Sequence, residues 1–367
     1  MDHKPTRLDS LTGLRFLAAM LVVSYHASVT LVPEMFPLVS VGQTGVTFFF
    51  VLSGFVLAWS MKPNAPKRQF YWRRFARVWP LHALTLIAAV VLIQATEGEQ
   101  SVPRFMASLL LLQSWHADPT WVYAYNGVSW SLSCEAFFYA VFPFLAVWLS
   151  RFRAKRLLRI CVLVFVAVAL LSALLPLVPA FDWGALLYAF PAYRVSEFIV
   201  GVCLAMAFRK GWKPKFGVWV GTAAAVGPVL VLEVVAANVP WHIAPALAST
   251  LCMPGFALLI AAFAHRDCTG GRRTFASSPA MVRLGEWSFA LYLVHELVLR
   301  TALELGPVTL GERAAFAAFG VAVSILLSAL LFTLFERPIE AWLRSMFLRG
   351  GGPVPNNPQP EESLGVK

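Results

Sequence analysis

The sequence predicts an all-α membrane protein of about ten transmembrane helices, with both termini cytoplasmic and one short interfacial or re-entrant segment. Three observations carry this prediction. Of the 367 residues, 59% are hydrophobic and only 13% are charged, about half the charged share of a soluble domain. Apolar runs long enough to cross a bilayer recur along the whole chain. Lys and Arg gather in alternate connections between those runs, as the positive-inside rule requires.

The first run, 11–31, contains "LTGLRFLAAMLVVSYHASV". No small-residue cleavage site follows it, so it reads as a retained helix and not as a signal peptide. Further spans are predicted at 42–60, 78–96, 129–150, 157–176, 183–207, 216–235, 246–264, 284–304 and 312–335. Between the third and fourth, "FMASLLLLQ" at 105–113 is too short to cross and is expected to lie in the interface or re-enter. Charge tests this count. With the N-terminus inside, the cytoplasmic connections hold Arg68 and its basic neighbours in 61–77, "RFRAKR" at 151–156 and "RKGWKPK" at 209–215, while only Arg104, Arg300 and Arg313 fall outside. Were 105–113 to cross, every later loop would flip and those basic stretches would face outward.

The net charge of +11 is thereby explained by topology, and nucleic acid is not an expected partner. Residues 1–345 are predicted to form one transmembrane domain. The Gly- and Pro-rich stretch 346–367 is predicted to be a disordered cytoplasmic tail, with no appended soluble domain. Cys134, Cys161, Cys203 and Cys252 lie inside apolar runs and Cys268 just beyond one. None forms a CxxC pair, so neither a disulfide framework nor a zinc site is expected.

Chemistry is concentrated in five places. Arg15 and His26 are eleven residues apart, about three helical turns, so they share a face and sit ~16 Å apart along the axis. Arg15 can snorkel to the surface and His26 can pack on a carbonyl, but two polar groups on one face of a membrane helix favour a lined cavity. In "GVSWSLSCEAFFYAVFP", Glu135 lies two turns into a span, with Ser131 four residues before it on the same face. A buried carboxylate must be paired, protonated or functional. Its depth matches that of His26, which permits a pair in which Glu135 orients the imidazole.

Third, "KRQFYWRRFARVWPLH" sets Arg73, Arg74 and Arg77 among Tyr71, Trp72 and Trp79. Ordinary inside charge with an aromatic anchor accounts for much of this stretch. The preference for Arg over Lys fits a bidentate grip on phosphate. Fourth, Arg194 and Glu197 in "AYRVSEFIVG" either neutralise each other or bind substrate. Fifth, "GEWSFALYLVHELVL" puts Tyr292 and His295 on one face with Glu296 beside them. There is no HExxH or comparable spacing, so no metal is expected. The outer loop 97–128 carries Trp115, His116, Trp121, Tyr123 and Tyr125, which read as an interface belt or as a lip on which a sugar stacks.

Taken together, "LTGLRFLAAMLVVSYHA", "GVTFFFVLSGFVLAWS", "FYWRRFARVWPLH", "WSLSCEAFFYAVFPF", "YRVSEFIVGVCLA", "LGEWSFALYLVHELV" and "FERPIE" resemble the acyltransferase-3 family of integral membrane O-acyltransferases. The pieces are in order and span residues 11–340. The resemblance implies transfer of an acyl group, usually acetyl from acetyl-CoA, to a hydroxyl of a saccharide or related molecule in the bacterial cytoplasmic membrane. It carries the family's first-helix Arg and His onto Arg15 and His26, its RxxR donor motif onto Arg74 and Arg77, and its SxxxE motif onto Ser131 and Glu135. His26 and Glu135 would then be catalytic, and Arg15, Arg73, Arg74, Arg77 and Ser131 would bind acyl-CoA. Arg194, Glu197, Tyr292 and His295 would support the site or the substrate. Thr47 stands where many relatives have Asp, and Cys134 where many have Val. Cell-wall sugars, lipid-linked saccharides and glycosylated metabolites such as macrolides all fit as acceptors. The rival reading is a saccharide exporter, which also places ionisable residues in spans. No inverted repeat or pair of broken helices speaks for it.

Overall fold

The computed structural model describes residues 7–62, 66–96, 101–178, 183–236, 244–270 and 273–349, and every regular element among them is helical. The chain runs through α1 (Asp9–Thr30), α2 (Gly45–Ser60), α3 (Lys67–Ala95), the short α4 (Val102–Leu109) and α5 (Pro119–Val122), and α6 (Trp130–Ser150). It continues through α7 (Ala154–Leu174), α8 (Trp183–Ala189), α9 (Pro191–Arg209), α10 (Val218–Ala236), α11 (Ala244–Cys268), α12 (Pro279–Glu304), α13 (Leu310–Leu331) and α14 (Arg337–Arg349).

Nine helical segments among the described residues are long and apolar enough to cross a bilayer. The predicted span at 284–304 is α12, which has the length but carries ionisable groups from Arg283 to Glu304. It packs between α1 and α13, both of which qualify. The segment at 105–113 falls in and just after α4, whose eight residues reach only about 12 Å.

Three boundaries differ from the sequence reading, each for a local reason. The helix predicted at 78–96 begins at Lys67, so Arg73, Arg74 and Arg77 project from a helix wall and not from a loop. The run 183–207 is two helices, because Pro191 has no N–H to continue the ladder and opens α9 instead. The last span does not stop near 335. A π-helical turn, Phe332–Glu336, carries α13 on into α14, which takes in 346–349 of the predicted tail as helix, while the rest of that tail lies outside the described residues.

Burial separates centre from rim. In α2, 78% of the apolar window is buried, against 17% in α7. α2 lies along α9, and at their crossing a Cβ on Gly201 would sit 1.9 Å from the carbonyl oxygen of Val51. Only glycine allows so close an approach of two backbones. One end of the bundle gathers the basic stretches. Arg209 donates to the carbonyls of Ala58 (2.7 Å) and Met61 (2.9 Å), and Lys210 to that of Ser150 (2.6 Å). The indole of Trp72 donates to the carbonyl of Leu343 (2.7 Å). At the opposite end the carboxylate of Glu233 accepts from the backbone N–H groups of Ser40 and Val41, both at 3.0 Å.

Candidate active site

α1 and α12 run side by side through the bundle. Near the basic end they touch backbone to backbone. A Cβ on Gly285 would lie 1.9 Å from the carbonyl oxygen of Thr12, and one on Gly13 would lie 1.9 Å from that of Ala276, in the short turn that leads into α12. Further along, the same two helices bring together a pair of histidines. His26 Nδ1 lies 2.9 Å from the carbonyl oxygen of Val22 and 3.2 Å from Nε2 of His295. His295 Nδ1 lies 3.0 Å from the carbonyl oxygen of Leu291. The two rings meet edge to face at 5.1 Å, and Tyr25 packs edge-on to His26 at the same distance. His295 is fully buried and His26 half-buried.

A cavity of about 160 Å³ lies beside this pair, lined by Arg15, Arg74, Arg77, Ser53, Ser131, Glu135, Tyr139, Ser288 and Tyr292, with apolar walls from α2. Arg15 and Arg77 also line a second, outer pocket with Arg7, Glu286, Arg337 and Glu340. They therefore sit where the inner cavity meets the basic end of the protein. Among the described residues Arg15 makes no ion pair. Arg77 is held by Glu336 on the π-turn and by Glu340 on α14, the latter at 3.2 Å. Arg74 lies 6.0 Å over the ring of Phe70 and 5.9 Å over that of Tyr139. Arg73 does not join them. It is exposed, about 100° round the helix from Arg74. Glu336 and Glu340 stand in "FERPIE" and Tyr139 in "WSLSCEAFFYAVFPF", pieces that carry the family resemblance, but the sequence assigns none of the three a role.

Ser131 and Glu135 share a face of α6, as their spacing requires, but their partners are not those expected. Glu135 accepts from the hydroxyls of Tyr139 and of Ser53 (3.2 Å). The pairing of Glu135 with His26 is therefore corrected: similar depth did not mean facing azimuth, and His295 holds the position beside His26. Ser131 donates to the hydroxyl of Tyr292 (2.8 Å), which donates in turn to the carbonyl of Val128 (3.0 Å). The ring of Tyr292 lies 5.9 Å from that of His295. Tyr292 thus stands between the cavity and the histidines, since His26 is not part of the cavity lining. Glu296 makes no hydrogen bond to either histidine among the described residues. It accepts from the N–H of Val128 (2.8 Å) and binds Arg300, clasping the start of α6 to α12.

Arg194 is completely buried. Its Nε lies 3.2 Å from Glu197, its Nη2 donates to the Thr47 hydroxyl (3.2 Å), and its guanidinium lies over Phe50 (5.2 Å), Tyr188 (5.5 Å) and Trp130 (5.8 Å). Thr47 therefore keeps a polar role without a carboxylate. The arrangement fits a structural ion pair in an aromatic cage. Arg194→Ala should cost about 3–5 kcal/mol, because it strands Glu197. Arg194→Met with Glu197→Leu should restore the thermal midpoint, read by size-exclusion melting. A stable single mutant would return Arg194 to the list of substrate ligands.

In the outer loop His116 stacks flat on Trp121 at 4.0 Å, and Trp115 packs edge-on to Phe137 and Phe190. Asp118 caps α5 by accepting from the N–H of Thr120 (2.8 Å), which holds its carboxyl below the usual range. Among the described residues no three His, Cys, Asp or Glu side chains converge as metal ligands.

Comparison with known proteins places these features. A profile of the acyltransferase domain, acyltransferase-3 type, matches residues 8–333. The chain is 34% identical over 375 aligned positions to the acyltransferase MdmB of Streptomyces mycarofaciens, covering 92% of this chain and 93% of that protein. It is 26% identical to the peptidoglycan O-acetyltransferase OatA of Listeria monocytogenes over 55% of this chain and 34% of that protein. No solved structure matches.

Proposed function

Since the chain belongs to the acyltransferase-3 family of membrane acyltransferases, we propose that it carries an acyl group from acyl-CoA to a hydroxyl of a saccharide or a glycosylated small molecule. Acetyl from acetyl-CoA is the expected group, and the bacterial cytoplasmic membrane the expected site. The observation that carries this reading is that Arg15, without an ion pair among the described residues, opens with Arg74 and Arg77 onto a cavity that ends at Tyr292, whose ring lies 5.9 Å from that of His295.

The donor's phosphates dock at the arginines, whose guanidinium forks suit them. The pantetheine arm follows the cavity between α2, α3, α6 and α12 toward Tyr292. Arg15 and His26 are ~16 Å apart along the helix axis, comparable to that arm. At the far end His26 takes the proton of the acceptor hydroxyl as its oxygen attacks the thioester carbonyl. The C–O bond forms and the C–S bond breaks. The departing thiolate receives the proton back from His26, so the protein ends as it began. The small and hydroxyl-bearing residues of the wall, Ser53, Ser131, Ser288 and Tyr292, supply hydrogen-bond partners to a polar arm that an apolar membrane interior lacks.

The test is transfer of label from acetyl-CoA by purified protein in nanodiscs, offered glycans and glycosides extracted from the host. Label in an ester of an acceptor hydroxyl is expected. Movement of an unlabelled saccharide across vesicles, with no ester formed, would overturn the reading in favour of transport.

A further inference from the structure

The sequence permits a carboxylate partner for His26, and the structure sets another imidazole there. Hydrogen-bond chemistry assigns the protons. A carbonyl oxygen only accepts. His295 Nδ1, 3.0 Å from the Leu291 carbonyl, therefore carries hydrogen, and in the neutral ring Nε2 is bare. His26 Nδ1, 2.9 Å from the Val22 carbonyl, likewise carries hydrogen and can share it with the bare Nε2 of His295 at 3.2 Å. The opposite arrangement would set two lone pairs against each other at Leu291. The consequence falls on the far side of the His26 ring, where Nε2 is left without a proton.

We propose that His295 is a positioning residue for the transfer. By accepting from Nδ1 of His26 it locks that ring in the tautomer whose bare Nε2 takes the acceptor proton, and it receives the same N–H more strongly once His26 becomes imidazolium. The inference rests on the acyl-transfer reading for its step, but its geometry stands independently of the substrate. His295 is itself fixed. It is fully buried, tied to its own helix at Leu291, and packed against Tyr292. Glu296 and Arg300 lie next along α12 but pair with each other, so neither competes for the His26 N–H that His295 shares with the Val22 carbonyl. A neutral imidazole in this position orients its partner as a carboxylate does in a catalytic triad, without a second buried charge.

Two measurements test the proposal. The first needs no activity: ¹⁵N-histidine-labelled protein in nanodiscs, with His26 and His295 assigned by substitution. Both rings are expected to show a protonated Nδ1 and a bare Nε2. A proton on His26 Nε2 in the resting protein overturns the proposal. The second is kinetic. His295→Leu should lower kcat by about 10²-fold or more while leaving the KM for acetyl-CoA unchanged, because the phosphates dock elsewhere. His295→Gln, whose amide oxygen can replace the accepting nitrogen, should recover about ten-fold of that loss. A merely structural histidine would give folded Leu and Gln variants of equal activity, or a Leu variant with wild-type kcat, and either result overturns the proposal. If the Leu variant does not fold, the wild-type spectrum still decides. If the wild-type protein transfers no acyl group at all, the acyl-transfer reading fails and the tautomer measurement stands on its own.

Discussion

Folded His26→Gln protein is expected to bind acyl-CoA with wild-type affinity and to transfer nothing. Glutamine preserves polarity and much of the volume of the imidazole, and its amide can still meet the Val22 carbonyl or His295. It cannot take and return a proton. General base assistance is worth about 10²–10⁴-fold, and a nucleophile lost outright costs at least as much, so turnover should fall below detection. The arginines lie at the other end of the cavity, so donor affinity by calorimetry should not move. The readout is labelled acetyl transfer in nanodiscs, normalised to monodisperse protein. Near wild-type turnover would reduce His26 and His295 to a helix-packing contact. An acid-quenched wild-type sample holding label on His26 would replace the direct attack with a covalent carrier.

The second large effect is at the donor end. Arg74→Ala should weaken acetyl-CoA binding by roughly ten-fold or more, since a charge-assisted hydrogen bond is worth about 1.5–3 kcal/mol. The loss should shrink for a truncated donor without the nucleotide. Arg77 needs a gentler change. It neutralises the buried Glu336, so Arg77→Ala would lower both affinity and stability, whereas Arg77→Lys keeps the charge and loses the fork. Arg77→Lys should therefore fold normally and bind more weakly. Unchanged affinity in both Arg74→Ala and Arg77→Lys would remove this wall of α3 from the donor site.

The sequence made the helices legible because hydrophobicity is local and a membrane demands long runs of it. It also placed Arg15 and His26 on one face, because helical period fixes azimuth within one helix. Azimuth between helices is another matter. His26 and Glu135 share a depth, but only packing decides that His295, 269 positions away, fills the place beside His26. For the same reason "FERPIE" is legible as a motif, but that its Glu336 and Glu340 hold Arg77 is not. Thr47 looked like the loss of a polar group, yet its hydroxyl still meets Arg194. Pro191 is a visible signal of the break in 183–207, since a proline one residue past Phe190 opens a new helix.

The glycine contact sets the closest approach of α1 and α12 at the basic end of the bundle. His295 lies ten residues beyond Gly285, about 15 Å along α12. At that radius a change of about 4° in the crossing angle opens the histidine pair by about 1 Å, enough to break its hydrogen bond. Membrane helices change tilt to match the thickness of the hydrocarbon around them. Turnover is therefore expected to differ between nanodiscs of short-chain and long-chain lipid, and equal rates in the two would show the histidine pair to be insensitive to helix tilt.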